Sequence, residues 1–158
     1  MSASRLTYDA FAKAAPAAKD ALLAMGKAVE ESGLDKTIVE LVKIRISQIN
    51  NCAFCLQIHL NVARRGGVAP EKIDLVATWQ EAGVFTEKEC AALAWAEALV
   101  HLPGHSVSDD AHQAARDHFS ESELMWLSIA IANINAWNRL GAAYRFTPPV
   151  PKKIPAAA

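Results

Sequence analysis

The sequence predicts an all-α fold, on three observations. Hydrophobic residues make up 52% of the 158-residue chain while Gly and Pro number only seven each, and Ala and Leu, strong helix formers, are abundant. Helix-start and helix-stop residues bracket the apolar segments. No segment alternates with the period of two expected of a half-buried strand. The expected architecture is six to eight helices with short connections. They form one domain, residues 1–147, followed by a Pro-rich tail, residues 148–158.

Taken in order, "APAAKDALLAMGKAVEESG" offers Pro16 as a first-turn proline and Gly33 as a stop. "DKTIVELVKIRISQIN" starts on Asp35 as N-cap and places Ile38, Leu41, Val42, Ile46 and Ile49 at helical spacing. "NN" at 50–51 is a turn signal, so the next helix should pack antiparallel to this one. "APEKIDLVATWQEAG" reads as one helix from Pro70 to a stop at Gly83. "FTEKECAALAWAEAL" and "FSESELMWLSIAIAN" carry the same start signal. Thr86 and Ser120 are N-caps, Glu89 and Glu123 close capping boxes, and Phe85 and Phe119 staple onto Cys90 and Leu124. Residues 124–140 are apolar nearly all round, which marks a central core helix or a subunit interface. The tail holds four of the seven prolines, so it is read as extended.

The net charge is −1 with no basic stripe, which argues against a nucleic-acid partner. The N-terminus lacks the apolar core of a secretory signal. The longest apolar run is broken by asparagines and falls short of the ~20 residues that span a bilayer. No membrane association is expected, and the expected location is the cytoplasm. Three cysteines are too few for a secreted disulfide scaffold. In a reducing compartment a close pair is catalytic or metal-binding more often than structural.

That pair lies in "NNCAFCLQIH", residues 50–59. If a helix starts near Cys52, then residues 52, 55 and 59 fall within about 60° of one another. Both sulfurs and the His59 imidazole then share a face. The helix start favours a thiolate on Cys52, and His59 can accept or relay the thiol proton. Across the turn, Glu40 should sit within ~3 Å of the level of His59 along the helix axes. It lies among Val39, Leu41 and Val42, so a partly buried carboxylate could orient or deprotonate His59. Two other readings stand beside this dithiol site. Zinc could take Cys52, Cys55 and His59, with Glu40 or Cys90 as a fourth ligand, although no second paired motif is present. The cysteines could also be inert and simply packed.

"ELVKIRISQINNCAFCLQIH" resembles the core motif of the alkylhydroperoxidase D-like proteins in the carboxymuconolactone decarboxylase superfamily. The matching features are the Glu, the Arg-x-Ser, the Asn before a Cys-x-x-Cys, and the His four residues on. The likeness extends through "WQEAGVFTEKECAALAWAEAL" and "FSESELMWLSIAIANINAWNRL", over roughly residues 8–147. It implies an all-α fold assembled as a homotrimer or homohexamer. It also implies peroxide reduction by the Cys pair, and re-reduction by an external dithiol such as a lipoyl domain or a thioredoxin-like protein. By position, Cys55 would be the peroxidatic thiol, Cys52 the resolving thiol, His59 the proton relay and Glu40 the base behind it. No bound cofactor is implied. Phe54 stands where the best-studied members carry a second His. The decarboxylases of the superfamily lack the Cys pair.

The reading is therefore a thiol-dependent peroxidase. The alternative is a non-catalytic helical oligomer with a redox-sensing Cys pair. An apolar 124–140 helix, four tryptophans and the tail exceed what one small domain needs to bury, which independently suggests a homo-oligomer. Cys90 is read as packed, His101, His105, His112 and His118 as solvated, and the four tryptophans as core or interface anchors. Asn135, Asn138 and Arg139 are read as satisfying buried backbone rather than doing chemistry.

Overall fold

The computed structural model of the protein describes residues 3–102 and 106–151. Every regular element among them is helical: α1 (Tyr8–Ala14), α2 (Pro16–Glu31), α3 (Lys36–Ile49), α4 (Ala53–Arg65), α5 (Pro70–Leu75), α6 (Trp79–Ala82), α7 (Glu87–Val100), α8 (Asp109–Arg116) and α9 (Glu121–Tyr144). Eight of these span six residues or more, and α6 is a single turn. None of the helices is long and apolar enough to cross a membrane.

The local signals behave as their chemistry requires. Asp35 accepts the Thr37 and Ile38 amides and starts α3. Capping boxes form at Thr86/Glu89 and Ser120/Glu123. Phe119 and Leu124 join the core, and Phe85 and Cys90 line one shared cavity. Asn51 takes φ 52°, a left-handed turn that Asn tolerates, and reverses the chain between α3 and α4.

Residues 70–83 depart from the single helix expected. Between α5 and α6 the chain tightens into a 3-10 turn at Val76–Thr78. Val76 is fully buried, while Lys72 binds Glu89 and Trp79 binds Glu97, so α7 holds the two halves at separate points. β-Branched Val76 and Thr78 resist a helix interior weakly enough for these contacts to decide. The stop at Gly83 does occur, at φ 65°.

Two helices form the centre. α3 is buried without a break from Ile38 to Ile44, and α9 packs against α2, α3, α4, α7 and α8. An α-helix surrounded in this way buries whatever its sequence carries, including the charged Glu40 and Lys43. α9 is thus the central helix, although Met125 at its start remains 57% exposed. After α9 the chain turns at an exposed Arg145 and buries Phe146, and residues 147–151 carry no regular structure. The rest of the tail, like His105, lies outside the described residues.

Candidate redox site

Cys52 is the N-cap of α4 rather than a residue of its first turn. Its sulfur does what a Ser or Asp oxygen does at such a position, accepting the Cys55 backbone N–H at 3.3 Å. Both thiols are free and buried, at 2% and 3% exposure. Their titrations are linked. A hydrogen bond from the Cys55 thiol, opposed by burial and helped by the Cys55 amide and Asn138, holds Cys52 down at about 7. The same hydrogen bond, with burial and the Cys52 charge, pushes Cys55 up. The first negative charge on the pair therefore rests on Cys52, where the start of α4 also favours it.

Accessibility runs the other way. A cavity of about 410 Å³ opens on Cys55 and His59, with Tyr8, Phe54, Ile58 and Trp137 among its apolar walls. Phe54 stacks on Tyr8 at 5.6 Å and meets Phe146 edge-on at 5.3 Å between ring centroids. Charge and access thus fall on different sulfurs of one linked pair.

The α3–α4 turn brings Glu40 and His59 together, as the helical arithmetic predicts. Glu40 Oε2 lies 2.8 Å from His59 Nδ1, and Lys43 Nζ donates to Oε1 at 3.0 Å. Burial would raise the Glu40 carboxyl, but His59 and then Lys43 outweigh it, and the group sits below the ordinary carboxylate range. An ionised Glu40 makes Nδ1 the donor, so a neutral His59 presents Nε2 as a proton acceptor.

The sequence pattern of the carboxymuconolactone decarboxylase family matches residues 16–98, more than half the chain, and these include Glu40, both cysteines and His59. The chain belongs to this family. The uncharacterized Bacillus subtilis protein YdfG is 34% identical over 82% of the chain and 88% of its own length. A solved Agrobacterium tumefaciens protein of unknown function, described as a proposed antioxidant defence protein AhpD, is 38% identical. It superposes with a TM-score of 0.88 over 94% of this chain and 100% of its own. These likenesses make the chain an AhpD-like member of the family. A peroxidase-related protein from Ralstonia eutropha (TM-score 0.78; 88% of this chain, 74% of its own) and the debrominase Bmp8 (0.73; 81% and 69%) are each 22% identical and share the fold.

The family motif also contains residues whose work is architectural. Arg45, of the Arg-x-Ser, binds Glu97 on α7 and anchors α3. Ser47 and Asn50 reach α9: Asn138 donates to Ser47 Oγ at 3.1 Å and accepts from Asn50 at 2.9 Å. Asn138 is 1% exposed, and its partners are side chains, not the backbone groups expected from the sequence. It also lowers both thiols. Asn135 and Arg139 do bind backbone carbonyls. Lys43 escaped sequence reading, although its place three residues after Glu40 on one helix was the available signal. Cys90 is half-buried, where the pair is fully buried, and its thiol is pushed up by burial and by Glu89 and Glu87. His101 and His112 are exposed and His118 is half-buried. No cluster of three or more His, Cys, Asp or Glu able to hold a metal occurs among the described residues.

Proposed function

We propose that the protein is a thiol-dependent peroxidase that reduces hydrogen peroxide or organic hydroperoxides through a Cys52/Cys55 dithiol–disulfide cycle. The observation that carries this reading is the position of Cys55. Its backbone amide donates to the sulfur of an ionisable Cys52, and it opens on the same cavity as a His59 held by Glu40. The motif and the A. tumefaciens relative support the same reading.

In the cycle, His59 takes the Cys55 proton when peroxide occupies the cavity. The Cys55 thiolate attacks the near peroxide oxygen, and the O–O bond breaks. Cys55 becomes a sulfenic acid, and His59 supplies the proton that makes the leaving oxygen an alcohol or water. The Cys52 thiolate then attacks the Cys55 sulfur, a disulfide forms, and the departing hydroxide takes a proton from solvent to leave as water. An external dithiol, such as a lipoyl group or a thioredoxin-like protein, returns two electrons and two protons. Glu40 keeps His59 oriented and stabilises its charged form. The working unit in this reading is a homotrimer or homohexamer.

The test is turnover of hydrogen peroxide and cumene hydroperoxide with dihydrolipoamide or thioredoxin as reductant. A brominated pyrrole serves as a control because a debrominase shares the fold. Peroxide-dependent oxidation of the dithiol is expected. The alkylation rate of the pair should rise with pH through about 7, because thiolate accumulates as pH passes the Cys52 value. Turnover of the bromopyrrole alone would sink the peroxidase reading.

A further inference from the structure

Gly141 lies inside α9, in ordinary helical backbone. A glycine there weakens the helix relative to alanine, so its place needs another reason. A Cβ added to Gly141 would stand 2.7 Å from Cys52 Sγ and 3.3 Å from Cys55 Sγ. Both sulfurs therefore rest on the bare α-carbon of α9, 86 or more residues away in sequence. We propose that Gly141 is the positioning residue of the dithiol pair: its missing side chain leaves the space in which the two sulfurs meet and join. The inference builds on the redox reading of the site.

α9 has little room to retreat. One turn before Gly141, Asn138 is tied to Ser47 and Asn50 on the α3 side of the site. Just beyond, the Phe146 amide donates to the Gly141 carbonyl at 3.2 Å, and Phe146 is buried among aromatic rings. An alanine methyl at 141 can then be relieved by turning Cys52 about χ1. That rotation moves its sulfur away from Cys55 and gives up the cap bond from the Cys55 amide. The helix survives, and the pair is separated.

The test compares full-length wild type with Gly141→Ala, each with and without Cys52→Ala. Reduced protein is treated with diamide, whose N=N bond takes two electrons and two protons from the thiols to become a hydrazine. Mass spectrometry follows the 52–55 disulfide. In Gly141→Ala, disulfide formation should slow by about 10²-fold, the order that a 1 Å misplacement of reacting atoms costs. Thiolate absorbance should appear at higher pH, because the Cys55 hydrogen bond to Cys52 is lost. Gly141→Ala should lower Tm in the wild-type background and lower it less in the Cys52→Ala background, where the 2.7 Å contact is gone, alanine favours the helix and only the 3.3 Å approach to Cys55 remains. Should Gly141→Ala fail to fold, the double variant must fold for the inference to stand. A wild-type diamide rate in Gly141→Ala, or an equal Tm loss in both backgrounds, would overturn it. Diamide also separates the two proposals, since a disulfide that forms readily without peroxide turnover sinks only the peroxidase reading.

Discussion

Glu89 and Glu40 are both buried carboxylates, at 6% and 8% exposure, and each binds a lysine. Glu89 binds Lys72 Nζ with both oxygens at 2.7 Å and accepts the Thr86 amide at 2.8 Å. Its donors are a lysine and a backbone amide, and the group ties α5 to the start of α7. Glu40 gives one oxygen to Lys43 and the other to His59, whose ring lines the cavity beside Cys55. Its second donor is an imidazole, whose other nitrogen can give or take a proton. Burial and pairing alike thus serve structure in one place and fit proton transfer in the other. What separates them is whether a partner can pass a proton on and whether it faces a cavity.

Four substitutions probe that contrast, beginning with the largest expected effect. Glu40→Gln keeps the shape of the side chain but removes the charge behind His59. Peroxide attack should slow by ~10²-fold or more, the usual range for a positioned base. His59→Gln should slow it similarly, and the double variant should be little worse than either single one, because members of one relay are not additive. The pH at which the thiols ionise should rise in both single variants. An unchanged rate and an unchanged thiol pKa in Glu40→Gln would make Glu40 a structural residue like Glu89.

Glu89→Gln should do the reverse. It weakens the bond to Lys72 and half of a capping box, at a cost of about 1–3 kcal/mol. Thermal unfolding should show the loss, and single-turnover peroxide oxidation should proceed at the wild-type rate. A slowed oxidation step at full folding would erase the distinction between the two carboxylates.

Lys43→Met should have the smallest effect. Lys43 helps hold the Glu40 carboxyl below its ordinary range, so without it that pKa rises. Glu40 would then become protonated at a higher pH as the solution is acidified, and the acid limb of the rate profile should move upward. At neutral pH the rate should fall less than tenfold, because His59 still holds the other oxygen. A loss as large as that of Glu40→Gln would mean that Lys43 takes part in the relay itself.

The sequence alone determined the helices that begin on Asp35, Thr86 and Ser120, because an N-cap and its partners lie within one turn of chain. It also determined the meeting of Glu40 with His59. One tight turn joins their helices, and two rises of about 1.5 Å per residue bring them level. It did not reveal the break at Val76–Thr78, which depends on where α7 grips the segment. The tertiary structure likewise decided which sulfur the cavity reaches, and it brought Asn138 and Gly141 onto the pair. Those residues lie on α9, more than 80 positions from the cysteines, and no local periodicity connects them. Only the packing of α9 against α3 and α4 sets that register, and a shift of one residue would present a different side chain to the sulfurs.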